Sequence, residues 1–311
     1  MSMRISVIIN PEAGSGAGGR ALPTLKTALP EICPGADLSY LPTKSKAHAV
    51  ELGATVDSDL IVVVSGDGTI HDVAQGLMRR PQMERPRLAM LPVGSGNDIG
   101  RTFGMPGDLK HALATLGASV LAERFRPFDV GKVSQGDNQY FLETLSFGVD
   151  AAVALNTVTT RQKNAARGLR LYALTAAQTV LHELRPHHFR LVLDGKAVEG
   201  DLLICAIQNG PTYGSGFRVT PTADPGDGWL DLCTVNRVSH LHAFYLLSRM
   251  KNGNHLSLCP PFSFYRARSI DLSVDEPGDE QIPIQCDGER LLGSSFHIEV
   301  VPGALTVLFG M

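Results

Sequence analysis

Three times in its N-terminal part this chain runs from a short block of β-branched and aliphatic residues straight into a glycine-rich turn. Ile5 to Ile9 leads into Asn-Pro-Glu-Ala-Gly-Ser-Gly-Ala-Gly-Gly-Arg, Leu60 to Val64 into Ser-Gly-Asp-Gly-Thr, and Leu88 to Leu91 into Pro-Val-Gly-Ser-Gly-Asn-Asp-Ile-Gly-Arg. Continuous apolar runs of that length suit strands buried on both faces of a parallel sheet. After the second turn, Ile70, Val73, Ala74 and Leu77 recur at helical spacing, with His71, Asp72, Gln75 and Arg79 on the opposite side. Strand, tight turn and helix in repetition predict an α/β domain with right-handed crossovers over residues 1–125. A further strand is expected at Leu38 to Leu41. Asp108 is placed to cap a helix that Gly117 would stop.

In such a sheet the turns at the carboxyl ends of the strands are where ligands collect. Gly66 and Gly68 leave the backbone bare, so amides can approach phosphate oxygens; Thr69 adds a hydroxyl. Asp67 is the odd member, since a carboxylate beside phosphates needs a bridging cation or a positioning task. An Asp-Gly turn with an Asx cap explains the same residues without any ligand, and both readings stand at this point. Asn10 and Gly14 belong to a loop whose side-chain amide and free N–H groups form an anion nest, though no Gly-Lys-Ser/Thr follows to make it a Walker A loop. In the third loop Gly94, Ser95 and Asn97 offer donors, while Asp98 and Arg101 can lock the backbone. Loops from one sheet edge converge, so all three are expected to line one nucleotide crevice.

Beyond Phe125 the texture changes to short strand-like runs separated by Gly, Pro, Asp and Asn, which predicts an antiparallel β-sandwich over 126–300. One helix, Arg161 to Leu184, is expected within it, burying Leu169, Tyr172, Ala173, Ala176, Val180 and Leu184. The final residues 301–311 are assigned to the first domain. With a net charge of −3, nothing draws the whole chain to nucleic acid or to an anionic bilayer. Five scattered cysteines without Cys-x-x-Cys spacing argue against zinc or a disulfide framework, and for a reducing, cytoplasmic setting. Adjacent His187 and His188 diverge on a strand and make no zinc pair. No apolar run reaches the ~18 residues of a membrane span, and the N-terminus has no secretion signal.

The three loops, with Phe-Asp-Val-Gly at Phe128 to Gly131, Ser-Phe-Gly-Val-Asp-Ala at Ser146 to Ala151, the block from Asn209 to Leu232, and Cys-Asp-Gly-Glu at Cys286 to Glu289, resemble in order and spacing the diacylglycerol kinase catalytic domain family, which includes bacterial lipid kinases and sphingosine kinases. The likeness is to its soluble bacterial type and covers nearly the whole chain. Two departures stand out: Ser65 where the family has its first glycine, and Gly94-Ser95 where it has Gly-Thr. The resemblance implies a nucleotide held between an α/β domain and a β-sandwich, with ATP as phosphoryl donor, Mg2+ as cofactor and a membrane lipid as acceptor. It implies Asp67 near the phosphates and catalytic magnesium, Asp287 as general base, and Glu289 near the nucleotide or metal. It also implies a structural magnesium held by the Asp227 carboxylate with the main-chain carbonyls of Asp224 and Trp229, and Asp129 linking that site to the active centre. Taken from the residues alone, Asp287-Gly288 is equally a type I′ turn and Asp227-Gly228 a hairpin.

The expected protein is therefore cytoplasmic, reaching the inner face of the membrane peripherally through the basic residues Arg161, Lys163, Arg167 and Arg170. Assembly as a homodimer is compatible with this reading. A kinase for a soluble acceptor, resembling NAD kinases, and a nucleotide-binding regulatory protein without turnover are the alternatives.

Overall fold

Three of the four N-terminal runs become parallel strands too hydrophobic to leave either face in water, while the fourth, Asp37–Pro42, lies at the sheet edge with no residue fully buried. The computed structural model describes residues 2–134, 139–163, 168–275 and 281–310, with backbone alone at 161–163 and 168–170. The chain divides into two units, Met1–Phe128 with Gly303–Met311, and Asp129–Pro302. In the first, β1 (Arg4–Ile9), α1 (Ala13–Ile32), β2 (Asp37–Pro42), α2 (Lys46–Thr55), β3 (Leu60–Ser65), α3 (Asp67–Leu77), β4 (Arg87–Pro92), α4 (Asp98–Thr102) and α5 (Leu109–Leu121) follow one another. The strands lie in the order β2-β1-β3-β4, all parallel, and Val307 of the C-terminal segment joins beside Leu88. Every residue of β3 is buried, which accounts for a run without polar alternation.

Asp108 caps α5 through a bond from the His111 N–H at 3.1 Å. Gly117 does not stop this helix. The helix runs on to Leu121, and Gly117 is buried inside it where a Cβ would lie 3.0 Å from the Ile32 Cβ, so its bareness serves packing.

The second unit takes the chain through β5 (Phe125–Ser134), β6 (Gln139–Phe141), β7 (Thr144–Gly148), α6 (Val149–Lys163), α7 (Gly168–Glu183), β8 (His187–Leu193), β9 (Lys196–Gln208), β10 (Leu230–Asn236), α8 (His240–Met250), β11 (Phe262–Ala267), β12 (Ser269–Asp275), β13 (Ile284–Cys286), β14 (Glu289–Arg290) and β15 (Ser295–Leu308). Its strands pair antiparallel: β9 with β7, β8 and β10, β12 with β8 and β15, and β13 with β7 and β14. β8 and β12 alternate buried and exposed residues, the mark of a sheet with one wet face. The fold is a β-sandwich whose core is keyed by Phe147, edge-on to Phe189 at 6.2 Å and to Phe296 at 5.4 Å between ring centres.

The helical part differs from expectation. In place of one helix from Arg161 to Leu184, α6 begins at Val149 and α7 at Gly168. The buried face of α7 carries Leu171, Tyr172, Thr175, Ala176, Thr179 and Val180, while Ala173 is exposed and Leu184 lies half-buried beyond the helix. A threonine can be hidden there because its hydroxyl finds the backbone one turn back, as Thr175 Oγ1 does by donating to the Leu171 carbonyl at 3.0 Å. The Leu169 side chain lies outside the described residues, as do those of Arg161, Lys163, Arg167 and Arg170. A third helix, α8, has no counterpart in the sequence expectations, although Ser239 caps it and Ala243, Leu246 and Met250 form its buried stripe. Among the described residues no helix is long and apolar enough to cross a membrane.

Candidate active site

β1, β3 and β4 are neighbours in the first unit, so the turns that follow them leave the sheet side by side. Asn10 joins the first loop to the second: its Nδ2 donates to Thr69 Oγ1 at 2.8 Å, and its Oδ1 accepts from the Glu12 N–H at 3.0 Å. The first loop then coils through three left-handed residues, Gly14, Ser15 and Gly16. Gly14 is obligatory there, since a Cβ would fall 2.0 Å from the Val93 carbonyl of the third loop. The second and third loops touch backbone to backbone: a Cβ on Gly94 would sit 2.4 Å from the Gly66 Cα and 2.7 Å from Asn97 Oδ1. Ser65, the departure from the family pattern, is the buried last residue of β3, and its carbonyl accepts from the Val93 N–H at 2.9 Å. Asn97, itself left-handed, donates to the Gly94 carbonyl at 3.0 Å. A Cβ on Gly68, by contrast, would meet nothing within 4 Å, so that glycine leaves open a path that the fold itself does not need. Ser95 lies half-buried in the same group. Gly94→Ala should therefore push two loops apart and lower stability by about 1–3 kcal/mol, as measured by denaturant unfolding.

Asp67 stands at the start of α3, where the helix dipole favours a carboxylate. Its Oδ1 accepts from the Ile99 N–H at 3.0 Å, which ties the second loop to α4. Burial, and then the neighbouring Asp98 carboxylate, nevertheless push Asp67 up to about 7. Asp98 in turn is held by Arg101 Nη1 at 2.8 Å, the lock expected from sequence. Two carboxylates crowded at a phosphate-type turn are what a divalent cation would relieve.

In the second unit, Asp287 and Gly288 both have positive φ, as a type I′ hairpin between β13 and β14 requires. The turn also captures the carboxylate. Asp287 Oδ2 accepts from the Leu142 N–H at 2.7 Å, and Oδ1 from Glu143 and Thr144 at 3.1 and 2.9 Å. Three convergent amides fix this side chain as an oriented carboxylate. Around it lie the buried Glu143 and Asn209, whose Nδ2 donates to the Asp129 and Leu142 carbonyls at 2.8 and 2.9 Å. Asp129 Oδ2 accepts from the Gly228 N–H at 2.6 Å, carrying the connection to the Asp224–Trp229 turn. Glu289 pairs with Cys286 across the hairpin.

The same unit contains a small apolar cavity, about 50 Å³ of open space, walled by α6, α7 and α8 against β9, β10 and β11. Its lining is apolar, from Val153, Ala176, Val180, Leu203, Phe217 and Leu246 among others, apart from one carboxylate. Asp150 Oδ2 accepts from the Tyr213 hydroxyl at 3.2 Å, while Oδ1 is buried without a partner. Burial outweighs the Ser146 and Tyr213 hydroxyls and pushes Asp150 up to about 7.

Family profiles match nearly the whole chain: the diacylglycerol kinase catalytic domain over residues 4–133 and the YegS C-terminal NAD kinase beta sandwich-like domain over 143–309. The chain belongs to the diacylglycerol kinase family. A diacylglycerol kinase of Mycobacterium tuberculosis is 29% identical over 312 residues, spanning 98% of this chain and 94% of the relative. A YegS-like lipid kinase of Pectobacterium atrosepticum is 29% identical over 270 residues, with 82% of this chain and 80% of the relative covered. A solved Bacillus anthracis structure assigned as a diacylglycerol kinase superposes with a TM-score of 0.78 at 26% identity, over 99% of this chain and 97% of that one. An Archaeoglobus fulgidus NAD kinase shares the fold, with a TM-score of 0.56 over 99% of this chain and 94% of that one, at 15% identity. This lipid kinase family member is therefore a phosphotransferase.

Within the kinase's first unit the structure brings together Asn10, Gly14, Gly66, Asp67, Gly68, Thr69, Gly94, Ser95 and Asn97. Within its second it joins Asp287 to Asp129 and to the turn of Asp224, Asp227 and Trp229. That turn offers oxygen ligands of the kind a hard cation takes. As placed, however, Asp227 is ion-paired with Arg266 and accepts from the Trp229 N–H at 3.1 Å. Magnesium would have to displace a flexible, half-exposed guanidinium. We expect magnesium at ten times its Kd for Arg266→Ala to stabilise that variant by about 1.4 kcal/mol, to stabilise the parent less, and to leave Asp227→Ala unchanged, as read from unfolding. Equal responses in all three proteins would remove the cation from this turn.

Sequence reasoning missed Glu143, Asn209, Tyr213 and the role of Asp150. Asn209, Tyr213 and Asp150 lay inside the motifs named above, and Glu143 just before one of them. A polar residue embedded in an apolar strand run, as in Phe-Leu-Glu-Thr-Leu, was the available signal.

Proposed function

We propose that this chain transfers the γ-phosphate of ATP to a hydroxyl of a membrane lipid of the diacylglycerol type. The observation that carries the proposal is the cavity of the second unit. An apolar lining with a single buried carboxyl group is compatible with an acyl chain and an uncharged head, and it repels a soluble, phosphate-bearing acceptor such as a nicotinamide dinucleotide. The names of the relatives support a lipid acceptor.

In this reading the amides of the three loops and the α3 N-terminus hold the phosphates of ATP. Magnesium, when bound with the nucleotide, supplies positive charge to the phosphate oxygens, and Asp67 beside Asp98 is the carboxylate that would face it. Phosphoryl transfer asks the protein chiefly to position reactants and neutralise charge. Asp287 receives the proton of the attacking hydroxyl, and the amides of Leu142, Glu143 and Thr144 keep its carboxylate aimed. Glu289 belongs to the same set, toward the nucleotide or metal. The deciding experiment uses γ-labelled ATP with a panel of lipids in mixed micelles and chromatography of the organic phase. Label in a lipid supports the proposal. Label in no lipid, with ATP still bound, would favour a nucleotide-binding regulatory protein.

A further inference from the structure

The strands that deliver the glycine-rich turns have a second end. Where β1 and β4 begin and just ahead of β3, Arg4, Arg87 and Asp59 join Ser58, Arg80 and Arg85 around an open pocket with about 740 Å³ of space. Each of these strands is six residues long, which puts the pocket about 20 Å from the turns. Neutral groups hold the arginines in place. Arg80 Nη2 donates to the Val56 carbonyl at 2.7 Å, Arg85 donates to the Ala304 and Arg80 carbonyls at 2.7 and 3.1 Å, and the Arg87 guanidinium lies 4.2 Å from the centre of the Phe125 ring. Such anchors orient a guanidinium without cancelling its charge.

Two buried atoms of this pocket have no partner among the described residues. Ser58 is only 7% exposed, and its Oγ makes no hydrogen bond; the same is true of Arg80 Nε. Buried polar atoms are nearly always paired, so a bare hydroxyl and a bare guanidinium N–H lining one pocket favour a ligand rich in acceptors. Burial, working against the Asp57 and Glu84 carboxylates, pulls the pKa of Arg80 below its usual value, as for a cation that a further anion would stabilise. The carboxylates of the pocket are engaged elsewhere or stand at its rim: Asp57 and Asp59 are both ion-paired with Arg4, and Glu84 is exposed. That leaves three arginines against one carboxylate. Planar guanidinium groups beside a hydroxyl suit a tetrahedral oxyanion, which accepts on several oxygens at once. We propose that this pocket binds a phosphate group, as the free ion or as a small soluble phosphate ester, through Ser58, Arg80, Arg85 and Arg87. Its apolar lining is limited to Ala54, Met83 and Pro86, which leaves no seat for an acyl chain. The site is separate from the glycine-rich turns, and it does not depend on which acceptor the kinase uses.

The test is calorimetric titration of the full chain with inorganic phosphate at about 0.15 M ionic strength, where charges farther apart than about 8 Å are largely screened. Arg87→Gln should weaken binding on the order of tenfold. Met83 and Glu84 are exposed lining residues whose side chains make no hydrogen bond, so their substitution leaves the fold intact. Glu84→Gln should tighten binding and Met83→Glu weaken it, each by about threefold, with the melting temperature kept. An Arg87→Gln effect seen with both inorganic phosphate and glycerol phosphate supports a soluble occupant; an effect seen only with water-dispersed dihexanoyl phosphatidate overturns it. Absence of phosphate binding by the parent overturns the site. So does an affinity that all three substitutions leave unchanged, which is the result that phosphate held at the glycine-rich turns would give. Whether any lipid is phosphorylated bears on neither outcome.

Discussion

Asp287→Asn should lose turnover by on the order of 10²–10⁴ while its affinity for ATP, measured by direct titration, stays within a few-fold of the parent. The substitution keeps the size of the side chain and one oxygen that can still accept from Glu143 and Thr144. It cannot accept a proton from the acceptor hydroxyl. It also turns an NH2 group toward the Leu142 N–H, a donor facing a donor, where the parent has a 2.7 Å bond. That mismatch should cost about 1–3 kcal/mol of stability, so activity must be read well below the melting temperature of the variant. Asp67→Asn provides the contrast. Its Oδ1 can still take the Ile99 N–H, and Asn resembles the protonated acid that burial already favours, so the fold should tolerate it. Nucleotide affinity and turnover should fall together in that variant, and the defect should vary with magnesium concentration. Normal turnover of Asp287→Asn with its true acceptor would mean that the proton leaves by another route.

What could be read from sequence follows the reach of each interaction. β1, β3 and β4 announce themselves because burial on both faces leaves no polar residue in the runs but Ser6, and their glycine turns because close backbone approach tolerates no Cβ. The Asp287-Gly288 hairpin was legible as a turn for the same local reason. Its three amide donors were not, since they come from residues some 145 positions earlier. Arg266 against Asp227 is a similar case: nothing near either residue names the other. The helical wall was the hardest part. α7 buries threonines, of which Thr175 is satisfied by its own backbone, and α8 exposes Leu241, Phe244 and Tyr245, so neither follows the simple rule of apolar inside and polar outside.

Asp150 offers the sharpest measurement on that cavity. Its carboxyl is pushed up to about 7, chiefly by burial, against about 3.9 in an unfolded chain. Below about pH 4 both states hold the proton, and Asp150 adds no pH dependence. From about pH 4 to about 7 the unfolded chain releases its proton while the folded chain keeps it, so stability falls as pH rises; above about 7 both are ionised and the loss levels off. Asp150→Asn is neutral throughout and can still meet the Tyr213 hydroxyl. The advantage of the variant over the parent should therefore be about 2.5 kcal/mol larger at about pH 8 than at about pH 5, measured by denaturant unfolding of each protein at both pH values. Asp67, raised to about 7, and Asp231, raised to about 6, lose stability in the same direction, but both are present in each protein and cancel from the difference. Parallel stability curves for parent and variant would mean that Asp150 is ionised and solvated in the folded protein, and the cavity would then be too wet to hold an acyl chain.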